Sequence, residues 1–277
     1  MDLTNISQIK SILYSHSIGA KKSLGQHFLI SRDALSSIVK AANLSKKDKV
    51  LEIGPGLGVL TVELVEHAGS VLAVEFDPKM VEILETIVPA KNLQVVRGNV
   101  LEFNTGALPK GYKLVANVPY YITSPILRSF LEAKNKPREM VLLIQKEVAE
   151  RITARPGNMS VLAVAVQFYS DPEIVEIVSK KAFWPVPKVD SAIVRLMVHQ
   201  KPKYEVDEKV FFRIVKAGFG EKRKQLANAL SGGLRLEKQE IIKVLQNLGL
   251  HPMIRAEELS LDDWYHLYQL IKEKLTK

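Results

Sequence analysis

The sequence contains no cysteine, and this absence excludes several kinds of site. A chain without thiols forms no disulfide, no thiolate-bound metal centre and no cysteine nucleophile. Its six histidines are scattered along the chain, without the close spacing that pairs of metal ligands show. We therefore predict that the protein works without a metal ion.

Long apolar runs are missing as well. No run approaches the ~20 residues that a membrane-spanning helix needs, and the first residues, MDLTNISQIK, lack the charged-then-apolar pattern of a secretion signal. The 277 residues are 47% hydrophobic, which suffices for a large folded core and a smaller second domain. These features predict a folded cytoplasmic protein that does not associate with membranes.

Positive charge is concentrated at the two ends of the chain, whose net charge is +9. Lys and Arg outnumber Asp and Glu by eight to three in residues 1–50, equal them at sixteen each in 51–200, and exceed them by fifteen to eleven in 201–277. The basic clusters are GAKKSLG, with Lys21 and Lys22, and GEKRKQLANAL, with Lys222, Arg223 and Lys224. Scattered lysines would only keep a surface soluble. Clusters favour a polyanionic partner, because phosphate contacts need several cations on one face.

The apolar pattern alternates between strands and helices over most of the chain. Short β-branched runs predict strands at 49–53, 71–75, 93–96, 113–116 and 140–145, separated by segments of helical period. This alternation predicts an α/β fold with a parallel sheet. Two further runs, VLAVAVQFY (161–169) and SAIVRLMV (191–198), predict strands at an antiparallel edge. Beyond residue 200 the pattern is helical, so we predict domains at 1–200 and 201–277.

The first chemical motif is VLEIGPGLGVLT, residues 50–61. Gly54, Gly56 and Gly58 follow a predicted strand and open a helix, which allows a tight turn with room for a ligand. Glu75 ends the next predicted strand, close to the ~20 residues expected for an acid that binds ribose hydroxyls. The motif indicates an adenosine-containing cofactor but leaves nicotinamide and S-adenosylmethionine both open.

The second motif is LVANVPYYITSP, residues 114–125, where an apolar strand ends in polar and aromatic residues. The side-chain oxygen of Asn117 and the carbonyl of Val118 could accept the two hydrogens of an adenine amine, whose lone pair is otherwise delocalised into the ring. Pro119 stiffens the turn, and Tyr120 offers a ring on which a flipped-out base can stack. Together with the glycine turn, the motif predicts a site for a planar nitrogen nucleophile.

With these motifs the chain resembles the ribosomal RNA adenine N6-dimethyltransferases. The segments KKSLGQHFL, VLEIGPGLGVLT, NVPYYITSP, QKEVAERI, FWPVPKVDSAIV and RKQLANAL occur in the order found in that family. The resemblance implies a Rossmann-like class I methyltransferase sheet that uses S-adenosylmethionine, followed by a small all-α C-terminal domain that binds RNA. It further implies dimethylation of two adjacent adenosines in small-subunit rRNA within a pre-ribosomal particle, and we expect a monomer.

The resemblance also implies roles for the matching residues. On the cofactor side they are His27 and Leu29 over the cofactor, Gly54 in its loop, Glu75 on its ribose, Asn99 beside its adenine, and Asn117 between cofactor and target amine. On the base side, Phe183 of FWPVP would close the pocket and sandwich the target base against Tyr120. At residue 99 the family usually has aspartate, so the amide here would be a weaker acceptor.

Two alternatives stay open at this point. One is the related large-subunit adenine methyltransferase, which shares the core motifs. The other is a non-catalytic RNA-binding assembly factor on the same scaffold, against which the intact glycine turn, Asn117 and Tyr120 argue.

Overall fold

The computed structural model describes residues 2–19, 26–221 and 223–275. The chain divides into two compact units, one formed by residues 1–150 and 170–200 and the other by residues 151–169 and 201–277. The sequence-based boundary near residue 200 assigns residues 151–169 to the first unit, whereas they group here with the C-terminal helices. No helix among the described residues combines the length and apolar character needed to cross a bilayer.

Nine strands lie among the described residues of the first unit. They are β1 (Phe28–Leu29), β2 (Lys49–Ile53), β3 (Ser70–Glu75), β4 (Leu93–Arg97), β5 (Lys113–Asn117), β6 (Glu139–Gln145), β7 (Ser170–Val178), β8 (Phe183–Trp184) and β9 (Ser191–Val198). Seven of them form one sheet in the order β4-β3-β2-β5-β6-β9-β7, and β1 pairs with β8. Strands β2 to β6 pair in parallel, while β9 and β7 are antiparallel additions at one edge. The five parallel strands confirm the predicted runs.

The helices of the first unit cover the sheet. They are α1 (Ile6–Ser15), α2 (Arg32–Ala42), α3 (Val59–His67), α4 (Pro78–Ile87), α5 (Thr123–Leu131) and α6 (Lys146–Ile152), the last of which continues into the second unit. Local signals set their starts: Ser31 caps α2, and Asp77 caps α4 with proline at its first position. Because β5 is fully buried at Leu114, Val115 and Ala116, it lies at the centre of the core.

A buried ionic network holds the amino ends of the central strands. The Lys113 ammonium lies 3.0 Å from a Glu139 carboxylate oxygen, and Arg195 Nε lies 2.6 Å from the other. Lys113 also donates to the backbone carbonyl of Asn43 at 3.0 Å. A buried charge is tolerated when it is paired and hydrogen-bonded in this way. Removing one partner would leave the others uncompensated.

The second unit is helical. Its helices are α7 (Val161–Tyr169), α8 (Glu208–Gly218), α9 (Leu226–Leu234), α10 (Lys238–Asn247) and α11 (Leu261–Leu275). The strand predicted at 161–169 is therefore wrong, since this segment forms α7. The ring centroid of Phe168 lies 5.0 Å from that of Phe211 and 5.3 Å from that of Phe212. Helix α7 therefore contributes to the aromatic core of the helical unit.

The edge of the sheet is formed by β7, residues 170–178, in place of the strand predicted at 161–169. It pairs with β9, which confirms the antiparallel strand predicted at 191–198. Pro172 and the alternation of exposed and half-buried residues suit β7 to the outermost position of the sheet, where one side of the backbone needs no partner strand.

Candidate active site

One cleft of about 360 Å³ lies at the carboxyl ends of the parallel strands in the first unit. Its lining includes the residues that end or follow β2, β3, β4 and β5. The direction of strand progression reverses between β2 and β5, and open α/β sheets bind ligands at this kind of reversal. The lining contains eleven of the predicted cofactor and catalytic residues, namely His27, Leu29, Gly54, Gly56, Glu75, Asn99, Asn117, Val118, Pro119, Tyr120 and Phe183.

The glycine turn has the backbone shape that its sequence requires. Gly54, Gly56 and Gly58 have φ values of +63°, +56° and +88°, which residues with a Cβ rarely adopt. Gly54 and Gly56 line the cleft, but Gly58 does not. A Cβ on Gly58 would lie 2.6 Å from Leu84 Cδ1, so this glycine permits α3 to begin close to α4. Its position indicates a packing role, and its contact with a cofactor stays a prediction.

Glu75 is held in place by backbone donors. Its two oxygens accept hydrogen bonds from Gly56 N at 3.1 Å and Asp77 N at 2.9 Å. Burial raises the pKa of this carboxyl, while the amide donors act in the opposite direction. A carboxylate has about four acceptor positions, so capacity remains for further donors from the cleft.

Glu52 is a cleft residue that sequence reasoning missed. It lies in β2, is almost completely buried, and one of its oxygens has no hydrogen-bond partner among the described residues. Burial, reinforced by the negative charge of Glu75, raises the pKa of Glu52 to about 8. The available signal was an acid inside an otherwise apolar strand, two residues before the glycine turn.

Asn117 ends β5 with its amide in a defined orientation. Its Nδ2 donates to the backbone carbonyl of His27 at 3.4 Å. The Oδ1 atom accepts no hydrogen bond from any described residue. The next residue is fixed as well, because Val118 N donates to Leu143 O on β6 at 3.1 Å. The turn therefore presents an amide oxygen as an acceptor at the cleft.

Tyr120 and His27 form an aromatic pair beside Asn117. Their ring centroids lie 5.8 Å apart with the planes inclined by 25°. The Tyr120 hydroxyl lies 2.7 Å from Ser191 Oγ, and burial raises the pKa of this phenol. His27 Nδ1 donates to the carbonyl of Pro185 at 2.6 Å, so the proton is on this ring nitrogen. These contacts link the NVPY turn to the FWPVP segment.

Phe183 reaches the cleft from a short strand. It lies in β8 opposite Leu29 of β1, and its side chain is almost completely buried. The structure thus brings Phe183 and Tyr120 to the same cleft. The ring that stacks on Tyr120 here is that of His27, and the sandwich of a target base between Tyr120 and Phe183 stays a prediction.

Both polar atoms of the Asn99 side-chain amide form hydrogen bonds with residues that are close in sequence. Its Oδ1 accepts from Leu101 N at 3.1 Å, and its Nδ2 donates to Glu102 Oε1 at 2.7 Å. The side chain caps a short 3₁₀ turn, Val100–Glu102, at the edge of the cleft. An aspartate here would place a second carboxylate against Glu102. This contact gives a physical reason for the amide at residue 99.

Of the basic residues predicted to bind RNA, Lys21, Lys22 and Lys222 lie outside the described residues. Arg223 and Lys224 belong to the second unit and are exposed. Lys224 Nζ lies 2.5 Å from Glu221 Oε2, so part of its charge is already compensated. Whether these cations contact RNA stays a prediction.

The sheet order, the glycine turn and the acid at the end of the neighbouring strand define the class I S-adenosylmethionine-dependent methyltransferase fold, with a small helical C-terminal unit. Within this class, the match to the ribosomal RNA adenine dimethylase family extends over residues 18–273. The chain belongs to this family, which confirms the resemblance seen in the sequence. Family and fold together imply the use of S-adenosylmethionine.

Individual relatives agree with this assignment. A Dehalococcoides mccartyi protein named ribosomal RNA small subunit methyltransferase A is 45% identical over 267 residues, which cover 95% of this chain and 92% of the relative. A Clostridioides difficile protein of the same name is 38% identical, over 99% of this chain and 98% of the relative.

Two solved structures are similar over most of the chain. The dimethyladenosine transferase from Plasmodium falciparum has a TM-score of 0.77 and 28% identity, over 89% of this chain and 98% of that one. The 23S rRNA methyltransferase ErmE has a TM-score of 0.73 and 29% identity, over 90% of this chain and 99% of that one.

Proposed function

We propose that this protein transfers methyl groups from S-adenosylmethionine to the exocyclic amines of two adjacent adenosines in small-subunit rRNA, and dimethylates each. The observation that carries the proposal is the orientation of Asn117. Its amide nitrogen donates to the His27 carbonyl, which leaves its oxygen as an acceptor in a cleft that also contains Tyr120 and Phe183. The choice of the small subunit rests on the names of relatives that are 38–45% identical to this chain.

The cleft residues fit the proposed cofactor. The glycines at positive φ let a ligand approach the backbone after β2, and Glu75 retains acceptor capacity for ribose hydroxyls. The unpartnered oxygen of Glu52 would be satisfied by a hydrogen-donating group in the cleft. S-adenosylmethionine, when bound, supplies an electrophilic methyl group attached to a sulfonium.

The chain itself binds and orients the target amine. Asn117 Oδ1 and the Val118 carbonyl accept its two hydrogens, which draws the nitrogen towards a tetrahedral geometry and exposes its lone pair. Tyr120 and Phe183 provide stacking surfaces, and stacking on an aromatic ring is worth about 1–3 kcal/mol per base. An acceptor fixed before the reaction stabilises the charge that develops on the amine without further reorganisation.

Labelled methyl transfer to purified ribosomal particles tests the function. The acceptors would be immature small subunits, mature large subunits and naked small-subunit rRNA, followed by nucleoside analysis. We expect N6,N6-dimethyladenosine in the small subunit. Label in the large subunit would support the alternative methyltransferase, and label in neither would support the non-catalytic assembly factor.

Two finer parts of the proposal concern the form of the substrate and the oligomeric state of the protein. Stronger labelling of the immature particle than of naked rRNA would support a pre-ribosomal substrate. In a separate measurement, a light-scattering molar mass equal to that of one chain under the assay conditions would support a monomer.

A further inference from the structure

The segment that connects β7 to β9 forms a closed loop beside the cleft. We define the rim loop as residues 180–190. Lys180 N, at its start, donates to the Asp190 carboxylate at 2.9 Å, and the Asp190 carbonyl accepts from Lys146 N at 3.0 Å. The two ends of the loop are therefore tied to each other and to the start of α6.

Three contacts fix the rim loop relative to the proposed catalytic residues. Phe183, within the loop, lines the cleft. The Pro185 carbonyl accepts from His27 Nδ1 at 2.6 Å. Ser191, which directly follows the loop, is hydrogen-bonded to the Tyr120 hydroxyl at 2.7 Å. A group that binds the rim loop is thus held at a set position beside the cleft.

The rim loop carries unpaired positive charge. Lys180, Lys181 and Lys188 are all exposed, and within residues 2–19, 26–221 and 223–275 none of them forms an ion pair. The single acid in the loop sequence is Asp190, and one of its oxygens is used by the Lys180 backbone amide. The lysines therefore remain available to an external anion.

Exposed apolar side chains lie among these cations. Val186 is 57% exposed and Val189 is 45% exposed, although both are large apolar residues. A surface that alternates lysines with apolar groups complements a single RNA strand, which presents phosphates together with the faces of sugars and bases.

We propose that the rim loop binds the phosphates of the rRNA strand on either side of the target adenosine. The inference rests on the proposed function, because a base that enters the cleft brings its neighbouring phosphates to the rim. Lysine ammonium groups act as point charges on phosphate, so the loop supplies affinity and placement without reading sequence. This surface is distinct from the basic clusters predicted at the two ends of the chain.

Two triple variants with the same change in charge separate this role from simple solvation. The rim variant is Lys180→Gln/Lys181→Gln/Lys188→Gln. The control variant is Lys47→Gln/Lys91→Gln/Lys110→Gln, whose exposed lysines precede β2, β4 and β5 at the amino ends of the strands, opposite the cleft.

The measurement is binding of a small-subunit rRNA fragment as a function of salt concentration. Each lost phosphate contact lowers the log–log slope by ~0.7–0.9, so the rim variant should lose roughly 2–2.7 in slope. The control variant should keep the slope of the unmodified protein. Cofactor affinity, measured by calorimetry without RNA, should be the same in all three proteins.

The outcomes distinguish this inference from the proposed function. An unchanged slope in the rim variant, or an equal loss in both variants, overturns the inference while methyl transfer by the unmodified protein upholds the function. Failure of the unmodified protein to bind or methylate small-subunit rRNA overturns both.

Discussion

At the scale of single residues, Asn117 carries the proposed chemistry. Replacing it with alanine removes an acceptor from the amine, and by analogy with the loss of one preorganised polar group we expect turnover to fall by ~10²–10³-fold. Single-turnover methyl transfer measures this effect, and calorimetry should show nearly unchanged cofactor affinity. Asn104→Ala is a matched control, because Asn104 caps an exposed 3₁₀ turn outside the cleft lining. Near-normal transfer by the Asn117 variant would contradict the proposed role.

Asn99 and Glu102 should behave as a coupled pair. Asn99→Asp alone replaces a 2.7 Å hydrogen bond with two adjacent carboxylates, so we expect no gain in S-adenosylmethionine affinity. Asn99→Asp/Glu102→Gln removes this repulsion and leaves a charged acceptor, worth about 1.5–3 kcal/mol against about 0.5–1.5 for a neutral one. The double variant should bind up to about tenfold more tightly than the unmodified protein.

Calorimetric titration of both single variants, the double variant and the unmodified protein with the cofactor gives a double-mutant cycle for Asn99 and Glu102. Glu102→Gln alone should change cofactor affinity little, because Asn99 keeps its amide oxygen. If Asn99→Asp binds as tightly as the double variant, Glu102 does not restrain residue 99.

Glu52 predicts a specific pH dependence of stability. The pKa of its carboxyl is raised to about 8 by burial, against an ordinary value of 4.5. Between these two pKa values the folded protein keeps a proton that the unfolded chain releases. The free energy of unfolding therefore falls by about 1.4 kcal/mol per pH unit as pH rises through the window from about 4.5 to about 8. Below the window the contribution is fully present, and above it no further loss follows.

Urea titrations between about pH 5 and pH 8 measure this effect. Glu52→Gln should lose the part of the pH dependence that Glu52 contributes, since an amide does not titrate, while Glu75 keeps its own contribution. Glu66→Gln, an exposed glutamate on α3, should retain it. Parallel pH profiles for the unmodified protein and Glu52→Gln would show that Glu52 is ionised in the folded state.

At the scale of secondary-structure elements, the parallel sheet could be predicted because its strands are short β-branched runs between helical segments. Two elements at 161–178 could not be predicted in this way. VLAVAVQFY is apolar and of a length that suits either a strand or a helix, and burial against the aromatic residues of the second unit decides for a helix. Pro172 and the acidic residues of β7 obscure a strand that is stable because it lies at the edge.

In the candidate site, too, short motifs could be predicted from the sequence, whereas contacts between distant segments could not. The glycine turn and the NVPY turn follow from short motifs, and the structure places both at one cleft. The hydrogen bond from Asn117 to His27 and that from His27 to Pro185 join segments 90 and 158 residues apart. Contacts over such separations depend on the fold, so no local pattern reveals them.

Phe168 tests the assignment of α7 to the helical unit. Phe168→Ala removes a buried ring from the aromatic core, and such a change costs about 3–5 kcal/mol. Hydrogen exchange should accelerate in α8 and α11 while the central strands stay protected. Val175→Ala, on the exposed side of β7, is the control. Faster exchange in β7 and β9 with unchanged α8 would contradict the assignment.

At the scale of the whole molecule, the charge distribution separates affinity from chemistry. The net charge of +9 arises at the two ends of the sequence, while residues 51–200, which contain most of the cleft lining, are balanced overall. Phosphate contacts made by the basic ends would supply affinity that depends on salt but not on sequence. Changes to these cations should therefore alter RNA binding and leave cofactor binding unaffected.

Arg223 and Lys224 allow this separation to be measured on described residues. Arg223 is exposed and pairs with no acid in the part of the chain that the structure describes, whereas Lys224 is paired with Glu221. Arg223→Gln should lower the salt slope of rRNA binding by ~0.7–0.9, and Lys224→Gln by less because part of its charge is already compensated. Lys209→Gln, an exposed lysine at the start of α8, is the control and should leave the slope unchanged. Equal slopes for all three variants and the unmodified protein would mean that the C-terminal cluster is only solvated charge.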